Sequence, residues 1–133
     1  MAQDDRRIVV GVDGTETAAA ALRWAVLQSG YTGARVEAVL AWESPSAYEW
    51  APGLTEPADV EAAARAVLDK AVEGTTVPVT RSVVKGNAVR VLLDAARGAD
   101  LLVLGSQGHD ELKGSVGLHC LHHATCPVLV MRG

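Results

Sequence analysis

LLVLG at Leu101–Gly105, SQGHDELKGS at Ser106–Ser115, VGLHCLHHA at Val116–Ala124 and CPVLVMR at Cys126–Arg132 decide the fold. A short apolar run stops at a glycine-punctuated polar loop, a helical pattern starts at once, and a second apolar run follows. This is how an α/β protein turns the free N–H groups of a helix start toward an anion. The loop between Gly105 and Val116 is therefore the first place to look for function.

The alternation extends over the rest of the chain. Arg7–Val12 (RIVVGV) reads as a strand, and Thr15–Gly30 as a helix with Thr15 as N-cap, Glu16 favouring the dipole and Gly30 closing it. Ala18, Leu22, Ala25 and Ser29 then share one small-residue face. Arg35–Trp42 is a second strand, followed by a Pro-, Gly- and aromatic-containing loop, Glu43–Pro57, expected to cross the mouth of the sheet. Asp59–Glu73 carries Val60, Ala64, Val67 and Ala71 at helical spacing and ends at Gly74. Val77–Val84 alternates and contains Pro78, which suits an edge strand. Asn87 caps a third helix with Val89, Leu92, Leu93 and Ala96 as its buried stripe before Gly98. Five strands separated by helices require right-handed crossovers and a parallel sheet covered on both faces. The fold class is α/β, a single doubly wound domain over residues 1–133, with residues 1–6 expected to be disordered. Periodicity alone leaves the strand order open.

Composition excludes several function classes. The 133 residues carry a net charge of −4 and no basic block, which argues against nucleic acid, where clustered Lys and Arg supply the affinity. With no Phe, single-strand stacking platforms are also disfavoured. MAQDDRR has no apolar signal region, and no apolar stretch approaches the roughly 20 residues of a membrane span. Cys120 and Cys126 are too close together to form a disulfide framework, so the expected location is a reducing cytoplasm.

IVVGVDGT at Ile8–Thr15, LLVLGSQG at Leu101–Gly108 and HCLHHATCPVLVMR at His119–Arg132 together resemble the universal stress protein family, from the first strand to the C-terminus. The resemblance implies a Rossmann-like sheet of order 3-2-1-4-5 and a stress-response regulator that binds ATP, with Mg²⁺, and hydrolyses it slowly or not at all. The topological switch of that order lies between strands 1 and 4, where a crevice forms. By the resemblance, Val12 and Asp13 sit beside the adenosine and Ala41 lines the adenine pocket. Leu104, Gly105 and Gly108 approach the ribose and phosphates, while Gly114, Ser115 and Val116 open the fourth helix and offer phosphate donors. It also implies a homodimer through strand 5 (Pro127, Val128, Leu129, Val130, Met131). An apolar edge there should not face water, although a fourth helix folded back over it is the other way to cover it.

The chain departs from the family in its phosphate loop. Nucleotide-binding members carry G-x2-G-x9-G followed by Ser or Thr, whereas here only the five residues HDELK separate Gly108 from Gly114. The missing residues would span about 13 Å when extended, or close to one helical turn of about 5.4 Å if the helix simply starts later. Asp110 and Glu111 in the shortened loop repel a polyanion unless Mg²⁺ intervenes. A milder departure is Ala88, where members often have Pro.

Two function classes follow: the nucleotide-binding regulator, and a dimeric interaction module that has lost nucleotide binding with the shortened loop. A third, an adenylyl transferase of related fold, lacks the paired histidines of that chemistry after strand 1. Other clusters have plainer alternatives. His119, Cys120, His122, His123 and Cys126 suggest zinc, but no second ligand pair exists elsewhere. Asp13 before Gly14 also suits a simple Asx turn or helix cap. Trp42, Trp50 and Tyr48 could stack on a base or cover the end of the sheet, with cover favoured. Asp100 and His109 could be cast as an acid and base, but no partnered Ser or Cys nucleophile accompanies them.

Overall fold

A computed structural model describes residues 6–43, 50–106 and 115–132. Its elements alternate strictly: β1 (Arg7–Gly11), α1 (Glu16–Thr32), β2 (Arg35–Trp42), α2 (Pro57–Ala71), β3 (Val79–Lys85), α3 (Ala88–Ala95), β4 (Leu101–Gly105), α4 (Ser115–His123) and β5 (Val128–Met131). All four strand pairs are parallel, and the order is β3-β2-β1-β4-β5. The doubly wound class and the implied order are both found, and β3 is an edge strand.

The period of two along each strand divides the core into two layers. Ile8, Val10, Val36, Ala38, Leu40 and Val103 join Leu22 and Ala25 of α1 and Val60, Ala64 and Leu68 of α2. Val9, Val39, Leu102 and Leu104 face the other way, toward Leu92 and Ala96 around α3 and Cys120 of α4. Strands buried on both faces explain why RIVVG and LLVLG read as continuous apolar runs rather than as alternation.

Several boundaries differ from the sequence reading. Helix α1 runs through Gly30 to Thr32 and is closed by Gly33, whose φ of 81° lies in the left-handed region and whose N–H donates to the Ser29 carbonyl. Gly30 is solvent-exposed and helical, so it closes nothing. Helix α2 starts at Pro57 rather than Asp59, since proline needs no N–H partner in the first turn, and it stops at Ala71 with Gly74 beyond it. Strand β3 is shifted toward Lys85, β1 stops at Gly11, and β5 is confined to Val128–Met131. Both caps read from sequence are present: Thr15 Oγ1 accepts from Ala18 N–H, and Asn87 Oδ1 from Arg90 N–H. Arg6, from the segment expected to be disordered, hydrogen-bonds through its carbonyl to Arg35 N–H at 2.9 Å, while residues 1–5 lie outside the described residues.

At the amino end of the sheet one residue, Arg7, gathers four elements. Arg7 Nη1 donates to Glu37 Oε1 at 3.0 Å and to the Ala95 carbonyl at 3.3 Å, and Nη2 donates to the Arg97 carbonyl at 2.7 Å. The guanidinium thus satisfies carbonyls at the negative end of α3. Asp100 accepts the Arg7 backbone N–H at 2.9 Å, which joins β4 to the same node.

The opposite, carboxyl end is set by a glycine. A Cβ on Gly105 would lie 2.5 Å from Ala18 N and 2.6 Å from the Thr17 carbonyl carbon. The first turn of α1 therefore rests directly on the backbone at the end of β4. These two obstacles are main chain, with Thr17 Oγ1 also at 2.6 Å, so relief requires the helix itself to move. Gly105→Ala is expected to destabilise the fold by about 1–3 kcal/mol, read as a lower urea midpoint at unchanged slope. An unchanged midpoint would show that α1 does not rest on β4 this closely.

Candidate nucleotide crevice

The chain leaves the central strand β1 toward β2 and leaves β4 toward β5, so the connections part between β1 and β4. Crevices in open α/β sheets form at that place, outside the carboxyl ends of the strands. Gly11 pairs with Val39, and Val10 with Val103. Continuing both registers puts Asp13 level with Ala41 and Val12 level with Gly105. Four residues singled out in the sequence are thus brought together from three adjacent strand ends.

Their contributions differ. Val12 packs into the α1/α2 layer and Leu104 into the α3/α4 layer, so each presents backbone rather than side chain at the crevice. The Val12 N–H is already used, donating to the Val39 carbonyl at 2.8 Å. Ala41 is half-buried and small, and leaves room above β2. Gly105 is held to glycine by α1, a sufficient structural reason for the residue with or without a ligand. Val116 packs against the α3/α4 layer from the first turn of α4, which opens at Ser115. Gly108 and Gly114 lie outside the described residues, as do Asp110, Glu111, His109 and Tyr48.

Asp13 has a defined structural role. Its Oδ1 accepts from Thr15 N–H at 3.0 Å and from the Thr15 hydroxyl at 2.6 Å, while that hydroxyl oxygen accepts from Ala18 N–H at 3.3 Å. This is an Asx turn feeding a helix cap. It also consumes donors at the start of α1, so that helix end does not offer all its free N–H groups to an anion. Among the described residues Oδ2 has no hydrogen-bond partner, leaving one carboxylate oxygen at the crevice.

The indoles act as cover. Trp50 Cδ1 lies 3.1 Å from where a Gly14 Cβ would stand, so its ring spans the β1–α1 turn, and Gly14 adopts a φ of 85° there. Trp42 is 2% exposed and belongs to the α1/α2 layer, with Lys85 Nζ 5.6 Å from its ring centroid. Cover was the role favoured for these rings from the sequence, and the structure adds that Trp50 provides it over the turn at Gly14. Asp100 lies at the amino end of β4, bound to the Arg7 backbone, and thus away from the crevice. Among the described residues no three His, Cys, Asp or Glu side chains gather where one metal ion could bind them.

The family model described as the universal stress protein family matches residues 5–132. Two universal stress proteins of Mycobacterium tuberculosis are 34% and 32% identical over 134 residues, in each case 94% of this chain. The chain spans about half the length of these curated relatives, 45% and 44% respectively. Among solved structures, a universal stress family protein from Burkholderia pseudomallei is 30% identical, with TM-score 0.70 and 94% of both chains covered. A universal stress protein from Archaeoglobus fulgidus in complex with dAMP has TM-score 0.73 at 20% identity, covering 98% of this chain and 99% of its own. Another universal stress protein, in complex with cAMP, has TM-score 0.69 at 24% identity and 95% coverage of both chains.

The two thiols sit in surroundings that oppose ionisation. Burial raises Cys120 from 9.0 to about 11, with a further contribution from Cys126. Burial also raises Cys126, reinforced by Asp100 and partly offset by Arg7. A thiolate is the form that ligates zinc or attacks an electrophile, so both groups are poor ligands and poor nucleophiles near neutrality. At pH 8 the upward shift of Cys120 leaves roughly a hundredfold less thiolate than an unperturbed cysteine has. Native protein should therefore be alkylated at Cys120 by iodoacetamide at least about a hundredfold more slowly than denatured chain, followed by mass spectrometry. Equal rates would contradict the buried placement.

Proposed function

For a chain that belongs to the universal stress protein family, we propose an adenine-nucleotide-binding regulatory role in the stress response, with slow or no hydrolysis. The observation that carries the reading is the meeting of Asp13, Ala41 and Gly105 at the ends of three adjacent strands beside the topological switch point. Asp13 Oδ2 accepts a ribose hydroxyl, Ala41 leaves space for the base, and the Gly105 end of β4 leads toward the phosphates. Structures in the same fold that hold cAMP and dAMP support an adenosine monophosphate as the smallest ligand.

ATP would require the loop from Gly108 to Gly114 to complete the site together with Ser115, and Asp110 and Glu111 would need a Mg²⁺ ion to offset their repulsion of its phosphates. The five-residue spacing of that loop favours a second reading, a dimeric interaction module without a triphosphate site. Calorimetric titration of ATP with Mg²⁺, ADP and AMP separates the two. The regulator reading predicts saturable ATP binding, weakened roughly tenfold or more by Asp13→Asn. Asparagine retains an Oδ1 acceptor for Thr15, so the turn persists while the charge is lost. Heat with AMP alone would indicate an adenosine pocket without its phosphate arm, and no heat with any nucleotide would contradict the regulator reading and favour the interaction module.

Both readings share a homodimer. β5 is the sheet edge beside β4, its four residues are half-buried, and Pro127 precedes them. Antiparallel pairing of two such edges about a two-fold axis would bury Val128–Met131 and satisfy their free backbone groups. Light scattering at micromolar concentration should return twice the mass of the chain, and a monomer would contradict the pairing.

A further inference from the structure

The carboxyl end of the sheet carries an apolar side chain that the fold leaves partly uncovered. Val84, next to last in β3, is 39% exposed, whereas Val83 beside it is half-buried and packs into the α1/α2 layer. The alternation along the strand therefore turns Val84 to the opposite, α3/α4 face. Helix α3 leaves it open there. The helix leans on the chain two residues later, at Gly86, where a Cβ would lie 3.0 Å from Val91 Cγ2, and Leu92 then joins the layer around Val39.

Register places this residue beside the crevice. Val84 pairs with Ala41, and Lys85 with Trp42. Val39 packs into the α3/α4 layer, so Ala41, two residues on, shares that face with Val84. Lys85 belongs to the other face, with its Nζ 5.6 Å from the Trp42 ring centroid. Since Asp13 lies level with Ala41, one row crosses the ends of β1, β2 and β3 at Asp13, Ala41 and Val84. Polarity falls along that row, away from Gly105 on β4. Neighbouring strands stand about 4.8 Å apart, so the methyl groups of Ala41 and Val84 form an apolar shelf that crosses from β2 to β3. In the order β4, β1, β2, β3 the strand ends thus offer glycine backbone, a carboxylate oxygen and then apolar surface. Phosphate, ribose and base follow one another in the same order along a nucleotide laid across the sheet.

We infer that Val84 is a base-contacting residue of the crevice, its methyl groups and that of Ala41 carrying the flat face of the adenine ring. This rests on the nucleotide reading of the crevice and adds the edge strand β3 to it. Methyl NMR of the full chain, labelled at valine and alanine and titrated with AMP, tests it, because an aromatic ring lying over a methyl group shifts its resonance upfield. The Val84 and Ala41 methyl resonances are expected to move upfield together and to saturate at the same AMP concentration. Val84→Asn removes apolar contact without adding charge and is expected to weaken AMP about tenfold, whereas Val84→Ile keeps the affinity within about twofold. The site is exposed, and unchanged far-ultraviolet dichroism of both variants controls for folding. Saturating amide shifts at Asp13 and Gly105 with the Val84 methyls unmoved, or AMP affinity indifferent to Val84→Asn, would overturn the base contact while leaving the crevice in place. No saturable shift anywhere in the chain would overturn both.

Discussion

The contact that the rest of the carboxyl end depends on is the seating of the first turn of α1 on the backbone of Gly105. Here two main chains approach more closely than any side chain allows. It fixes where α1 begins relative to β4, although α1 belongs in sequence to β1. Asp13, Thr15 and Gly14 are placed by that seating, because the Asx turn and the cap are anchored to the same helical turn. Trp50 then closes the turn from outside. The crevice is thus a consequence of packing between a helix and a strand that is not its neighbour in sequence. A similar node operates at the other end, where Arg7 ties β1, β2, α3 and β4 together through one guanidinium and one backbone N–H.

This arrangement divides the molecule by chemistry. The crevice combines one carboxylate oxygen of Asp13, small residues and backbone, a surface suited to hydroxyls and a flat base. A groove of about 380 Å³ along α3 instead mixes the guanidinium groups of Arg90 and Arg97 with the Asp94 carboxylate, which Arg97 Nη2 meets at 3.1 Å. The crevice lies outside the strand ends, whereas the groove lies over the α3/α4 layer.

Much of the fold was legible because periodicity and capping agree. Arg35–Trp42 and Leu101–Gly105 are found at the bounds read from the sequence, and the caps at Thr15 and Asn87 form as expected. The misplaced closure of α1 shows the limit of local reading. Gly30 and Gly33 are equally good punctuation, and the choice falls to Gly33, whose N–H reaches the Ser29 carbonyl while Ser29 Oγ bonds to the Ala34 carbonyl. Leu68 of α2 is fully buried but was overlooked beside Val67, which is only partly covered, since a phase error of one residue changes which side chain faces the sheet. Of the two roles read for Asp13, the Asx turn that feeds the helix cap is the one its geometry shows. The Arg7 node and the α3 groove were not legible at all. Each joins residues from distant segments, and nothing in the spacing of Arg7, Glu37 and Arg97 marks them as neighbours.

The central claim is that the β1–β4 crevice is where this chain meets an adenine nucleotide. Residue-resolved amide NMR during titration with AMP tests it most directly, because it reports location as well as affinity. The account predicts saturable shifts concentrated at Val12, Asp13, Ala41, Gly105 and Ser106, with α3 unaffected. Shifts confined to Asn87–Arg97, or none at the strand ends while AMP binds, would contradict it.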